Sequence, residues 1–187
     1  MRAVVDGLPS AEAWVGDLAA DALPPLPDRL DVLVHSAGVE AGGAVADTDR
    51  STWEQVFAAN LFAVAALTRA ALPALRAARG LVVLIGSGAA FTAAPGGAVY
   101  AASKFALRAF GDALREEERA AGVRVTAVHP GRTDSDMQRA KVAREGLDYD
   151  TRWLLAPADV AAVVRTAVDL PEGAALETAS VRPSRVR

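Results

Sequence analysis

The stretch that decides the fold reads LVVLIGSG and covers residues 81–88. Five consecutive apolar residues, closed by a serine between two glycines, are typical of a strand buried on both faces of a parallel sheet. Other short apolar runs end near glycine or proline and lie at residues 11–15, 30–34, 123–128 and 176–181. Longer helical patterns separate these runs, so the sequence predicts βα units around a parallel sheet.

The predicted helices lie at residues 51–78, 98–121 and 157–170. Ser51 and Glu54 have the spacing of a capping box at the start of the first helix, and Pro73 predicts a kink inside it. Gly122 can adopt the left-handed conformation that ends the second helix. The sequence therefore predicts one Rossmann-like, doubly wound α/β domain over residues 1–187.

The composition fits a globular domain and excludes several classes of protein. Hydrophobic residues make up 52% of the 187 residues and charged residues 23%, which indicates a packed core rather than disorder. The chain has no cysteine, which excludes disulfides and thiolate catalysis. A net charge of −3 without a basic stripe argues against a nucleic-acid partner, and no unbroken apolar run has the length of a membrane span. Because no apolar block follows Met1, no secretory signal is predicted and a cytoplasmic location is expected.

Small and polar residues stand at the carboxyl ends of three predicted strands, where parallel α/β sheets bind their ligands. These ends carry Ser36-Ala37-Gly38, Gly86-Ser87-Gly88 and Pro130-Gly131. His35 and His129 also lie at strand ends. We interpret both histidines as structural or pocket-lining, because no metal-ligand spacing surrounds them and no metal site is predicted.

Tyr100 and Lys104 lie four residues apart on the second predicted helix, so their side chains share a face. A neighbouring ammonium favours the phenolate and lowers the tyrosine pKa from its usual value of about 10. That shift would suit a tyrosine that exchanges protons near neutral pH. The pair alone is more typical of an ordinary exposed i,i+4 contact, although Lys104 is one of only two lysines in this arginine-rich chain.

The spacing of Asn60, Ser87, Tyr100 and Lys104 resembles the active site of the short-chain dehydrogenase/reductase family. Tyr100 follows Ser87 by thirteen residues, and Asn60, the only asparagine, precedes Ser87 by twenty-seven. By this resemblance Tyr100 is the general acid/base and Ser87 binds the substrate carbonyl oxygen. Lys104 lowers the tyrosine pKa and holds the nicotinamide ribose, and Asn60 organises a water of the proton relay. The implied reaction is hydride transfer between NAD or NADP and a carbonyl or alcohol.

Further segments resemble the family's cofactor contacts. Residues 16–18 resemble its adenine-contacting acid and apolar pair, residues 35–38 its strand end, and residues 130–135 its Pro-Gly loop. Ser36 stands where the family prefers asparagine, and its hydroxyl offers fewer hydrogen bonds. Cofactor contacts are implied for Asp17, Leu18, Ser36, Ala37, Gly38, Tyr100, Lys104, Pro130, Gly131, Thr133 and Ser135.

The family's opening Gly-x-x-x-Gly-x-Gly turn does not occur before Gly16. Residues 1–7 are therefore interpreted as the tail of a helix and residues 11–15 as the third strand, with the first two strands missing. In the family's strand order those two strands lie between the third and fourth, so an apolar sheet edge is expected to be exposed. Such a chain is expected to be poorly stable, to aggregate or to gain a partner at that edge. The choice between NAD and NADP is undetermined, because the residue that ends the second strand is among those missing.

Other interpretations stay open. Asn60 could be a satisfied core amide, and Ser87 could simply end a strand. The chain could be an inactive remnant that works as an interaction module, since the helices at 51–78 and 98–121 resemble those that pair copies of family members into homodimers or homotetramers. A serine hydrolase is disfavoured, because residues 85 and 89 break the required Gly-x-Ser-x-Gly pattern.

The substrate is predicted only coarsely. Residues 133–154 are expected to form a loop that covers it, with apolar contacts from Met137, Trp153 and Leu154. These side chains suggest a modest, mostly apolar carbonyl or alcohol.

Overall fold

The computed structural model describes residues 10–12, 15–18, 23 and 25–185. Its centre is a sheet of four strands in the order β1-β2-β3-β4, in which all neighbouring pairs are parallel. The strands are β1 (Val32–His35), β2 (Leu81–Ile85), β3 (Arg124–Pro130) and β4 (Thr178–Val181). The predicted parallel α/β sheet is confirmed. β2 has the predicted bounds, and the bounds of the other three strands differ by at most two residues.

The longer helices are α1 (Arg50–Ala78), α2 (Ala98–Glu118), α3 (Asp136–Arg144) and α4 (Pro157–Asp169). α1, α2 and α4 follow the predicted pattern, whereas α3 lies in the segment that was predicted to be a loop. A short 3₁₀ turn extends α2, and Gly122 then ends it with a positive φ of 77°. This is the left-handed ending that the sequence predicts.

The start of α1 differs from the predicted capping box. The carboxylate of Asp49 accepts a hydrogen bond from the Thr52 backbone N–H at 2.8 Å, and Ser51 Oγ donates to that same carboxylate. Glu54 accepts from Arg50 Nε instead of reaching back to the cap. The prediction was wrong because an aspartate, among the best N-cap residues, stands two positions before the serine.

The predicted strand at 11–15 is not found in the part of it that the structure describes. Residues 11, 12 and 15 are in neither a strand nor a helix, and residues 13 and 14 lie outside the described residues, as does the predicted helix tail at 1–7. A strand exists only beside a hydrogen-bonded neighbour, and β1 pairs with β2 alone in the described sheet. Val34 of β1 is 45% exposed, so this edge strand presents apolar surface.

Both faces of the sheet are covered, as a doubly wound fold requires. Val82 and Leu84 of β2 pack in a cluster with residues of α1 and α2. Leu81 and Val83 point to the other face and pack in a second cluster that includes Ala167 of α4. This alternation explains why β2 reads as an unbroken apolar run, since each face lies under a helical layer.

Among the described residues, α1 is also the one helix that is long and apolar enough, by length and composition, to cross a membrane. The sequence contains no unbroken apolar run of that length, because arginine and other polar residues interrupt the alanine-rich turns of α1. Val64, Ala71 and Leu75 on its inner face lie in the core with the sheet. Their packing is that of the core helix of an α/β domain.

A buried ion pair joins α1 to α2 at the end away from the strand tips. Arg76 donates to both carboxylate oxygens of Glu118, with Nε–Oε2 at 2.8 Å and Nη2–Oε1 at 2.5 Å. The Glu118 side chain is only 4% exposed, whereas Arg76 is about half exposed. The bidentate contact with Arg76 lowers the pKa of Glu118 below its usual value, so the pair stabilises the fold above about pH 4.5 and loses that contribution as pH falls through the folded-state pKa.

We predict that Arg76→Ala lowers the free energy of unfolding by about 2 kcal/mol, because it leaves the buried carboxylate of Glu118 without its ion-pair partner. This loss of stability is smaller than the usual cost of breaking a buried ion pair, because the Arg76 side chain is about half exposed. Arg50→Ala on the same helix removes an exposed pair with Glu54 and should cost less than about 0.5 kcal/mol. Urea unfolding at pH 7 measures both variants, and equal losses would contradict the assignment.

Candidate active site

A cavity of about 620 Å³ opens at the carboxyl ends of β1, β2 and β3. It lies where the topology of a parallel α/β sheet places a ligand. Many of the residues singled out in the sequence line it, namely Ser36, Gly38, Ser87, Tyr100, Lys104, Pro130, Gly131, Thr133 and Ser135. Residues far apart in the chain therefore meet at one site.

Ser87 and Tyr100 face each other in this cavity. Ser87 follows β2 and caps a short 3₁₀ turn, where its Oγ accepts a hydrogen bond from the Ala89 backbone N–H at 3.1 Å. Its hydroxyl also lies close enough to Tyr100 to lower the pKa of the phenol. Tyr100 lies in the first turn of α2, so the strand end and the helix start bring the two hydroxyls together.

The pKa of Tyr100 is raised above its usual value, which corrects the expectation that Lys104 would lower it. Burial is the main cause, because it disfavours the phenolate. The neighbouring hydroxyl of Ser87 opposes this rise in the pKa, and the nearby carboxylate of Glu40 adds to it. The ammonium of Lys104 lies 5.7 Å from the centre of the tyrosine ring and makes its hydrogen bond elsewhere.

Lys104 is almost fully buried one helical turn after Tyr100. Only 5% of the Lys104 surface is exposed to solvent. Its Nζ donates a hydrogen bond to the carbonyl oxygen of Ile85 at 3.1 Å. Burial lowers the pKa of this ammonium to about 8. Lys104 is thus held against the end of β2, with its amine at the cavity wall.

Asn60 lies beneath the cavity rather than in its wall. It sits in a π-helical segment of α1, Ala58–Phe62, and such segments are frequent at functional sites. Its Nδ2 donates to the Val39 carbonyl and to Ser103 Oγ, both at 2.9 Å, and its Oδ1 accepts from the Val39 backbone N–H at 2.8 Å. Asn60 therefore fastens the loop after β1 to α2. This geometry fits the satisfied core amide, and the water-organising role stays a prediction.

His129 supports Ser87 from β3. Its Nδ1 lies 3.2 Å from the Ser87 carbonyl oxygen, and its ring packs edge-on against Phe91 with centroids 4.7 Å apart. A Cβ atom at Gly86 would lie 2.5 Å from the same nitrogen, so glycine is required there. His35 is also buried and pairs with Thr68, and burial lowers its pKa to about 4. Within the described residues no cluster of three potential metal ligands is found.

Some predicted residues are not brought to the cavity. Asp17, Leu18 and Ala37 lie within the described residues but do not line it. Trp153 and Leu154 line a second cavity of about 470 Å³, whereas Met137 lines the first cavity. Contact of Trp153 and Leu154 with the substrate stays a prediction.

The sequence prediction missed four polar residues of the cavity wall: Glu40, Thr92, Gln138 and Lys141. Gln138 and Lys141 belong to α3, where a loop was predicted. The signal that could have found them is the serine N-cap at Ser135, whose Oγ accepts from the Gln138 backbone N–H at 3.2 Å. Serine at that position is a usual start of a helix.

A family model described as short chain dehydrogenase matches residues 10–146 of the chain. The chain belongs to the short chain dehydrogenase family. It is 30% identical, over 84% of its length, to an uncharacterized short-chain type dehydrogenase/reductase of Sinorhizobium fredii, of which it covers 65%. It is 38% identical, over 63% of its length, to cyclopentanol dehydrogenase of a Comamonas species, of which it covers 47%.

The fold of this short chain dehydrogenase chain is also that of solved family structures. A closed form of serine dehydrogenase complexed with NADP⁺ superposes with a TM-score of 0.77 and 25% identity, over 91% of this chain and 75% of that one. The chain spans about two thirds or less of the length of the two sequence relatives.

The lowered pKa of Lys104 predicts a distinct pH dependence of stability. Because the folded-state pKa is about 8 and the usual value is 10.5, the unfolded chain binds more protons between those pH values, and stability rises with pH across this window. The rise should be roughly 2–3 kcal/mol. Lys104→Met should abolish it, whereas Lys141→Met, which removes the other lysine, should keep it. Guanidinium unfolding at pH 7.5 and pH 10 measures the slope, and a wild-type slope in Lys104→Met would contradict the burial argument.

Proposed function

We propose that this chain forms the catalytic part of an NAD(P)-dependent oxidoreductase that interconverts a carbonyl and an alcohol. The observation that carries the proposal is the meeting of Ser87, Tyr100 and Lys104 in the wall of one cavity. Membership of the short chain dehydrogenase family supports it, as does the NADP⁺ in the serine dehydrogenase relative.

The residues of the cavity fit the nicotinamide end of such a cofactor. A Cβ atom at Gly38 would lie 3.1 Å from Asn60 Oδ1 and 3.8 Å from Lys104 Nζ. Because glycine has no side chain, the space beside the Lys104 ammonium stays free for a ligand. Ser36, Gly38, Lys104 and the Pro130–Ser135 loop would hold the nicotinamide and its ribose. The cofactor, when bound, supplies or accepts the hydride. No glycine-rich turn for its pyrophosphate occurs among the residues that the structure describes, and the choice between NAD and NADP stays open.

In carbonyl reduction Tyr100 donates a proton to the substrate oxygen from its hydroxyl. Its raised pKa keeps this hydroxyl protonated at neutral pH, so it is ready to act as the acid. Ser87 orients the same oxygen: its Oγ already accepts from the Ala89 N–H, and its proton is available to donate. Lys104 fixes the end of β2 through Ile85 and adds positive charge near the oxygen, which stabilises the developing alkoxide.

The decisive test compares Tyr100→Phe with Tyr149→Phe, the chain's other tyrosine. Tyr149 lines the second cavity and bonds Asp134, outside the proposed machinery. Tyr100→Phe should lower kcat for carbonyl reduction by at least about 100-fold without weakening NADH or NADPH binding, while Tyr149→Phe should retain kcat. NAD(P)H absorbance and fluorescence measure turnover and binding, on the 187-residue chain and on the product of any longer reading frame that contains it. If neither protein bound NADH or NADPH, or if Tyr100→Phe remained active, the proposal would fail.

A second candidate function is self-association or docking through α1 and α2, in keeping with a homodimer or homotetramer. The observation that favours it is exposed aromatic surface on these helices: Phe62 is 59% and Phe105 is 40% exposed. Large contiguous patches of exposed apolar surface mark interaction sites on soluble proteins. We propose a cytoplasmic location with either function.

Sedimentation velocity tests this second function. The chain should sediment as an oligomer, or as a complex with a full-length relative, and Phe62→Ser with Phe105→Ser should dissociate it. Val45→Ser, which removes an equally exposed apolar side chain from the loop before α1, should leave the assembly intact. A chain that is strictly monomeric and binds the cofactor would refute the interaction role.

A further inference from the structure

Two polar side chains of α3 face the catalytic cavity without a role in the proposed reaction. Gln138 and Lys141 are three residues apart on this helix, so they share a face, and both line the cavity. The nine-residue helix thus contributes Gln138 and Lys141 to the wall of the cavity that Ser87 and Tyr100 also line. Neither side chain belongs to the motifs that resemble the family.

The amide of Gln138 is a buried donor that lacks an acceptor. The residue is only 8% exposed, and its Nε2 has no hydrogen-bond partner within the described part of the chain. A buried polar group left unpaired costs about 1–3 kcal/mol, and most such groups are satisfied in folded proteins. A donor that is buried at a cavity wall and unpaired is suited to a ligand that brings the acceptor.

The charges of the cavity wall leave Lys141 without compensation. Glu40, the acidic residue of the wall, is held at 2.5 Å by Arg144, and Arg132 lies 3.4 Å from Glu145. No ion pair of the Lys141 ammonium is found among the residues described. The wall beside Gln138 therefore carries a positive charge that a ligand anion could neutralise.

We propose that Gln138 and Lys141 form an anion-binding subsite that takes a carboxylate or phosphate oxygen of a ligand in the catalytic cavity. The ammonium supplies a point charge and the amide a directed hydrogen bond, a pairing that selects an oxyanion over a neutral group. The anion belongs either to the substrate, as a carboxylate, or to the cofactor, as a phosphate. The subsite deepens the proposed function and rests on it only for the identity of that ligand. If the anion belongs to the substrate, the subsite changes the expected substrate from mostly apolar to acidic.

The chain offers a direct spectroscopic test, because its side-chain amides come only from Gln55, Asn60 and Gln138. In a ¹⁵N-labelled sample the Gln138 amide pair is assigned by its loss in Gln138→Leu, and the exposed Gln55 pair serves as an internal reference. Succinate and inorganic pyrophosphate are the anionic probes, and succinamide is the neutral match for succinate. We expect at least one anion, and not succinamide, to shift the Gln138 signals saturably while the Gln55 signals stay in place.

Variants of α3 then test the role of the charge. Lys141→Met should weaken binding of that anion at least tenfold, Lys141→Arg should keep most of it, and Arg139→Met should leave it unchanged. Arg139 is the matched control, since it carries the same charge on the same helix but pairs with Asp134 outside the cavity wall. Preference for succinate assigns the subsite to the substrate, and preference for pyrophosphate assigns it to the cofactor.

The proposal is overturned if neither anion moves the Gln138 signals, or if Lys141→Met binds as tightly as the wild type. Because these titrations need neither turnover nor a bound cofactor, their outcome is separate from that of the Tyr100→Phe assay. Anion binding in a chain that does not react would leave the subsite standing and remove the catalytic proposal.

Discussion

The burial of both faces of β2 is the constraint on which the rest of the structure depends. Its residues alternate between two core clusters, so the strand needs a helical layer on each side and a paired strand on each edge. β1 and β3 provide the edges, and α1, α2 and α4 provide the layers. The same burial brings the end of β2 under His129, where only glycine fits at position 86. Ser87, the next residue, lines the cavity.

The chemistry of the site follows from that burial. α2 crosses the end of β2 closely enough for Lys104 to reach the Ile85 carbonyl, and this contact buries the ammonium while Tyr100 is buried beside it. A low-dielectric environment disfavours either charge, so burial moves both pKa values toward the neutral forms, upward for the phenol and downward for the ammonium. The resting pair is therefore a proton-bearing phenol next to a readily titrated amine.

Most of the fold and part of the site could be predicted from the sequence. The apolar run of β2, the glycine after α2 and the regular helices follow from local patterns that burial reinforces. Tyr100 and Lys104 could be placed together because i,i+4 residues share a helical face, and Ser87 could be placed at a strand end. The resemblance to the family joined these three residues into one site. The strand at 11–15 could not be verified by pattern alone, since strand formation depends on a neighbour that the pattern does not specify.

Other features depend on contacts that no local pattern encodes. The direction in which the pKa of Tyr100 shifts depends on how deeply the phenol is buried. The sequence spacing between Tyr100 and Lys104 does not indicate that burial. α3 was missed because its sequence is strongly polar, with little apolar periodicity to mark a helix, so Gln138 and Lys141 were assigned to a loop. Trp153 and Leu154 line a second cavity, which no local sequence pattern indicates.

The strand order has a consequence for how the chain reaches its fold. Each strand pairs with the next one along the chain, yet every pairing joins distant residues, as Val32 with Leu81 and Leu81 with Arg124. The entropy of closing such loops must be lost before the apolar faces are buried, which slows folding relative to helical bundles of similar size. β2 and β3 each take part in two of the three closures, so their pairing is the natural nucleus on which β1 and β4 assemble. A slow search for this pairing, rather than the formation of the helices, then sets the time during which newly made chains expose their apolar segments to one another.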